Sequence, residues 1–219
     1  MNPAFFLDES GFHATAFTQF DWLEHAFGTR NTPRPDPLVT VKQVHSVIVE
    51  PHQGGVGCIA EADGITTRLA GPLLGVKTAD CLPVLIIDPQ NQAVAAVHAG
   101  WRGVAGGIVP LAIGQLRERF GSDAGELQIA IGPGIGPCCF EVGPEVAEKF
   151  GRQGRVKIDL AAFLSSHLIS SGVAEQNIHS AGLCTVCHPK WFHSFRRDGE
   201  PAGRMMSVVG IKKSAARLE

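Results

Sequence analysis

Two apolar runs rich in β-branched residues, Pro83–Asp88 and Gln92–His98, flank the turn-forming stretch Asp88-Pro-Gln-Asn, and this pattern predicts a β-hairpin. With Asp88 opposite Ala93, Pro83 faces His98 and Cys81 lies two residues beyond, at the open end. Residues paired across strands share a face, as do residues two apart along one strand. Cys81 and His98 therefore project to the same side, with Cβ atoms roughly 7–8 Å apart on the diagonal; a one-residue slip would send them to opposite faces. At that spacing a single ion or proton joins thiol to imidazole. Two chemistries use such a pair: a cysteine nucleophile activated by its histidine, or a transition-metal centre completed by a third ligand. The plainer alternative is a small apolar cysteine beside a hydrogen-bonded core histidine.

Further strands are expected near Thr40–Glu50, Leu73–Lys77, Leu127–Ile131, Ile178–Gly182 and Met205–Ile211. Helical patterns run over Val104–Phe120, with Gly121 closing it, over Pro144–Phe150, and over Leu160–Ser171 between the caps Asp159 and Gly172. Such interspersed elements indicate an α/β (α+β) fold. Three prolines within Asn31–Pro37 mark a surface loop rather than a linker. A chain of 219 residues, 44% of them hydrophobic, is expected to form a single domain over 1–219, with a core that needs neither disulfide nor metal.

A net charge of −2 without long runs of one sign leaves no footprint for nucleic acid or an anionic membrane surface. Residues 1–9 lack the pattern of a signal peptide, and no apolar stretch approaches the ~20 residues that span a bilayer. A cytoplasmic location is expected, where the six cysteines serve as thiols or ligands rather than as a disulfide framework. None of the nine histidines forms an HxH pair, so the repeated ligand pairs of multicopper oxidases are missing, and the absence of tyrosine excludes tyrosyl chemistry.

His45, read as lying inside an apolar strand, needs partners for its ring nitrogens and is the natural third ligand beside Cys81 and His98. Two imidazoles and one thiolate leave a position open on zinc, the pattern of catalytic sites, and the same donors suit copper. After His98, the stretch Ala-Gly-Trp-Arg-Gly-Val-Ala-Gly-Gly leads a glycine turn into a helix beside Arg102, an arrangement able to hold an anion or simply to make a tight turn. Cys184-Thr-Val-Cys-His188 spells a c-type haem attachment signature and half of a four-cysteine zinc module. Both readings are set aside, because no export signal is visible and no second CxxC completes a cluster. Cys138–Cys139 fall in a Gly- and Pro-rich loop and read as a structural turn.

FGTR (Phe27–Arg30), QVHS (Gln43–Ser46), ADGITT (Ala62–Thr67), TADCLPVLIID (Thr78–Asp88), AAVHAGWRG (Ala95–Gly103), IGPGIGPCCFEVG (Ile131–Gly143) and SFRRDGEPAGRMMS (Ser194–Ser207) follow one another through most of the chain. Together they resemble the laccase-domain or multicopper polyphenol oxidase family, reinterpreted as purine nucleoside phosphorylases. The resemblance implies an α/β/β/α sandwich of mixed sheets, similar to the catalytic domain of cytotoxic necrotizing toxins. It implies a zinc enzyme that phosphorolyses adenosine, inosine, guanosine and methylthioadenosine and deaminates adenosine, with ligands matching His45, Cys81 and His98. The chain departs from the family after Arg30, where the loop is abbreviated, and at Trp191-Phe-His-Ser-Phe195, which replaces a tyrosine-containing pattern.

On this basis Arg102 and Arg30 are expected to steady phosphate, with Gln43 as a further substrate-binding residue. Asp80 is either a proton carrier for deamination or a buried turn residue accepting backbone N–H bonds. Four rivals remain: a metal-free cysteine hydrolase using Cys81 and His98, an amidase acting on peptidoglycan precursors, a copper-dependent polyphenol oxidase, and a metal-binding protein without turnover.

Overall fold

A computed structural model describes residues 4–213. Of the segment 1–9, in which no export signal is expected, residues 1–3 lie outside the described residues, as do 214–219.

The hairpin has the register its turn dictates. Strands Leu82–Asp88 and Ala93–Ala99 run antiparallel, with Asp88 facing Ala93 and Pro83 facing His98. Asp88 fixes the turn, its Oδ1 accepting the N–H groups of Gln90 and Asn91 at 2.9 and 3.0 Å. Every residue of both strands is buried, and the period of two divides them between two cores. Val84, Ile86, Ala95 and Val97 face the helices, whereas Leu85, Ile87, Val94 and Ala96 join residues of a second sheet.

The hairpin is the centre of a six-stranded sheet in the order Ile178–Ser180, Gln128–Ile131, Leu82–Asp88, Ala93–Ala99, Gly64–Thr67, Val49–Pro51. Its middle pairs are antiparallel and its outermost pairs parallel. The second sheet has seven strands in the order Phe5–Asp8, Gly11–Ala14, Leu23–Phe27, Met205–Ile211, Leu73–Thr78, Leu38–Lys42, Gly57–Glu61, and is also mixed. Val39, Leu74, Val76 and Val209 of this sheet share one core with Ile65, Leu85 and Ile87 of the first. Each fully buried aliphatic side chain there contributes roughly 1.5–3 kcal/mol. The expected sandwich of mixed sheets is present. Its helices Trp101–Ala105, Ile108–Phe120 and Leu160–Ser170 gather over the outer face of the six-stranded sheet. The outer face of the larger sheet carries a small cluster built on Ala26, Leu38, Leu73 and Val208.

Two expected elements are corrected. The strand expected over Thr40–Glu50 is two strands, Leu38–Lys42 and Val49–Pro51, which belong to different sheets. His45 lies in the crossing between them, exposed, with φ at 59°. The helix expected over Val104–Phe120 begins at Trp101 and breaks before Ile108, because Gly107 is left-handed at φ 78°, a conformation glycine adopts at little cost. The caps hold as read: Asp159 accepts the N–H of Ala162 at 2.9 Å, and Gly121 ends the long helix at φ 73°. Among the described residues, no helix is long and apolar enough to cross a membrane.

Candidate active site

The open end of the hairpin, the crossing loop and the first turn of helix Trp101–Ala105 meet at one point. One donor atom from each of His45, Cys81 and His98 lies within 4.8 Å of the others, and Cys81 Sγ is 4.0 Å from His45 Nε2. The sequence argument for Cys81 and His98 succeeded because the register places both on one face. His45 arrives differently, on a turn rather than a strand.

Asp63 holds the turn, and the sequence reading passed over it although it stands inside ADGITT. It is wholly buried. Its carboxylate accepts the backbone N–H groups of Val44, His45 and Ser46 at 3.3, 3.1 and 2.6 Å, and the Ser46 hydroxyl at 2.7 Å. It also accepts His98 Nδ1 at 2.7 Å, which leaves Nε2 as the nitrogen free for a ligand. Burial pushes the Asp63 carboxyl up, but the His98 and Ser46 hydrogen bonds outweigh it and hold the pKa at about 2. Burial likewise disfavours charge on His98, yet Asp63 and Cys81 raise it to about 9. Cys81 is raised by burial and lowered further by His45 and His98, to about 7. A thiol so easily ionised between two imidazoles has the chemistry of a metal ligand.

Gly100 supplies the space. Its φ is an ordinary −70°, but a Cβ built there would lie 3.0 Å from Cys81 Sγ and 3.2 Å from His45 Cδ2. The donor set and this cleared space together fit a metal ion of the zinc or copper type.

The three donors line a cavity of about 770 Å³, with Arg102, Phe140, Arg196 and Arg204 also on its walls. Arg102 lies over the Trp101 ring, 4.3 Å from its centroid, and its guanidinium has no hydrogen-bonding partner among the described residues. The expected anion site at a helix start is corrected: helix Trp101–Ala105 is five residues long, too short to build a dipole worth the name. Arg102 is the residue there whose charge faces the cavity lining.

Other expected residues are placed elsewhere or otherwise occupied. Arg30 is not among the cavity residues, and its Nη1 donates to the Pro189 carbonyl at 2.8 Å. Gln43 borders the cavity, but its amide is spent on the Lys77 backbone, donating to the carbonyl and accepting the N–H at 2.7 and 2.8 Å. Asp80 matches the second of its two readings. It sits at φ 87°, and its oxygens accept the Thr185 hydroxyl and the Arg196 N–H, each at 2.6 Å. Both carboxylate oxygens are thus engaged in holding the turn, and Asp80 borders the cavity.

One further correction concerns the cysteines. Cys184 and Cys187 have partners after all: the sulfurs of Cys138, Cys139, Cys184 and Cys187 lie within 4.8 Å of one another. The adjacent pair stands where a second CxxC would stand. Sequence reasoning missed it because two loops far apart in the chain come together only through the fold.

Residues 22–212 match the family model described as multi-copper polyphenol oxidoreductase laccase. The chain belongs to this family. A purine nucleoside phosphorylase of Clostridium acetobutylicum is 36% identical over 183 residues, covering 79% of this chain and 76% of the relative. A protein named adenosine deaminase RL5, from an unknown prokaryotic organism, is 35% identical over 197 residues, covering 80% and 75%. Among solved structures, YfiH of Bacillus licheniformis superposes with a TM-score of 0.88 at 25% identity, covering 97% of this chain and all of that one. The YfiH structure shares the mixed-sheet architecture described above, and the names of the two sequence relatives point to an enzyme of nucleoside chemistry.

Proposed function

We propose that this chain is a metal-dependent purine nucleoside phosphorylase acting on adenosine, inosine, guanosine and methylthioadenosine. Phosphate oxygen bonds to ribose C1′ as the C1′–N9 bond breaks, and the purine leaves with the bonding electrons and takes up a proton. One observation carries the reading: a thiol and two imidazoles converge at a cavity roomy enough for a nucleoside, in a chain whose relatives include a purine nucleoside phosphorylase. His45, Cys81 and His98 would hold zinc, which when bound supplies a Lewis acid and acidified water; copper fits the same donors.

The chain's own residues do the positioning. Asp63 fixes the His98 tautomer and the His45 turn. Arg102, whose donors are unspent, takes phosphate, and Arg204 and Lys77, which also line the cavity, add positive charge. Phe140, Val142 and Phe195 offer an apolar surface for a purine ring. Asp80 and Gln43 act as positioning residues, through Arg196 and Lys77 respectively.

Deamination of adenosine is the second reading, favoured by the relative named adenosine deaminase. There, water replaces the C6 amino group and ammonia departs. Chromatography of adenosine incubated with the protein, with and without phosphate, tests both. Adenine formed only with phosphate, or inosine formed without it, is expected, and each should be lost in His45→Ala, Cys81→Ala and His98→Ala. If none of the four nucleosides is turned over by zinc-loaded protein, the proposal fails and the amidase alternative moves ahead.

A further inference from the structure

We propose that Cys138, Cys139, Cys184 and Cys187 form a second, structural site for a single zinc ion, separate from His45, Cys81 and His98. The geometry is that of a cage for one ion. Zinc–thiolate bonds of about 2.3 Å in a tetrahedron place sulfurs about 3.8 Å apart. Here Cys187 Sγ is 3.6 Å from Cys138 Sγ and 3.5 Å from Cys139 Sγ, with all four sulfurs within 4.8 Å. Those separations are far too long for a disulfide bond, and all four cysteines are free thiols.

The surroundings suit a tetrathiolate. Cys184 is buried, and its sulfur accepts the Gly136 N–H at 3.3 Å, a bond that stabilises thiolate. Cys138 and Cys187 are exposed, which gives an ion a way in. Binding releases four protons as four thiols become thiolates on a dication, leaving a net charge of −2. The adjacent arginines sit against this charge. Arg196 Nη1 donates to the Cys139 and Glu141 carbonyls at 3.2 and 3.0 Å. Arg197 Nη1 donates to the Thr185 and Val186 carbonyls at 3.0 and 3.2 Å, while the same guanidinium pairs with Asp198. Each arginine thus grips one of the two cysteine loops. His188 does not join the cage, since its Nδ1 bonds the Cys184 carbonyl and its ring stacks on Trp191. Hard oxygen-seeking cations are excluded by the four sulfurs, and tetrahedral S₄ selects zinc or iron.

The ion would staple two loops that together build a wall of the cavity. One brings Ile135 and Phe140 to it, and the other bonds Asp80 through Thr185 and leads into Phe195 and Arg196. Its contribution is therefore to stability and to the placement of that wall, not to the reaction.

Metal content separates this site from the first. Reduced protein loaded with zinc and desalted is expected to hold two ions per chain by elemental analysis. Cys81→Ser should hold one, and the Cys138→Ser/Cys187→Ser double variant should hold one. Cobalt added to Cys81→Ser protein should give the thiolate-to-cobalt charge-transfer band of a tetrathiolate, absent once Cys138 and Cys187 are also replaced. The exposed positions of those two residues keep the double variant foldable, and circular dichroism checks it. One ion per chain in the parent and none in Cys81→Ser, without a thiolate–cobalt band, would overturn the proposal. So would iron recovered in place of zinc, or a native disulfide within the four cysteines found by mass spectrometry in unreduced protein. One ion retained by Cys81→Ser with no nucleoside turnover by the parent would sink the phosphorylase reading and leave this one standing.

Discussion

Both sulfur-bearing clusters gather ligands from distant parts of the chain, yet they are built on opposite principles. The His45, Cys81 and His98 cluster stands at the end of a buried hairpin and is oriented by one carboxylate, Asp63, which accepts five hydrogen bonds. Its three donors leave a position open toward a cavity, as reactive metal sites do. The four-cysteine cluster stands on two loops and offers only sulfur. Rigid strands and a charged anchor suit a site that must hold its geometry while ligands come and go. A closed set of thiolates on loops suits an ion that stays and orders those loops.

The strongest way to break this contrast is Asp63→Ala. Removing a buried carboxylate from its ionic partner costs about 3–5 kcal/mol, and losing an orienting partner weakens a metal site by about 10–100-fold. Calorimetric zinc titration should show that weakening at the three-donor site, alongside a lower denaturation midpoint, while the four-cysteine ion remains. Loss of both ions in still-folded protein would mean that the clusters are not independent.

Gly100→Ala probes the same contrast by filling space rather than removing charge. The new Cβ would press on Cys81 Sγ and His45 Cδ2, and a fall of about tenfold in zinc affinity is expected from misplaced ligands. Stability should change little, because the φ of Gly100 is one alanine adopts. Unchanged affinity would show that the donors have room to relax.

Arg102→Ala should raise the KM for phosphate about tenfold, the worth of one charge-assisted contact, and leave nucleoside KM and both ions unaffected. An equal rise in nucleoside KM would move Arg102 from phosphate to the nucleoside. Asp80→Asn tests the seam between the regions, since it touches the cysteine loop through Thr185 and the cavity wall through Arg196. A loss of about 1–2 kcal/mol is expected from weakening two charge-assisted bonds, read in a thermal melt. A pH–rate profile that keeps its shape would fit positioning; loss of one limb would restore Asp80 as proton carrier.

A further effect is in the pH dependence of folding. The Asp63 carboxyl lies at about 2 in the folded chain against 3.8 for an unperturbed aspartate. Its stabilisation is therefore full above pH 3.8 and is lost as pH falls from there through about 2. Denaturant midpoints of the parent should decline across that window, and those of Asp63→Asn should decline less steeply.

The register of one hairpin was legible because a four-residue turn and two apolar runs leave few alternatives, and it placed Cys81 beside His98. The helix caps at Asp159 and Gly121 were legible for the same local reason. The short strands Phe5–Asp8, Gly11–Ala14 and Leu23–Phe27 were not, since four or five residues carry too little periodicity. His45 was brought to the right cluster but on the wrong element: the apolar residues around it mark a crossing between sheets, which sequence pattern does not separate from one continuous strand. Arg30 was drawn to the site by its neighbours in sequence, and its hydrogen bond to Pro189 holds it elsewhere, whereas Asp80 does border the cavity, with its carboxylate engaged by Thr185 and Arg196.

By itself, then, the sequence determined what short-range physics decides: the turn, the alternation of faces, the caps, the chemical character of the donors, and the family its motifs resemble. Only the tertiary structure decided which donors meet. Asp63 reaches the His45 turn, Gly100 clears space for three ligands, and Cys138–Cys139 meet Cys184 and Cys187, because two sheets packed on one core bring together loops that no local pattern links.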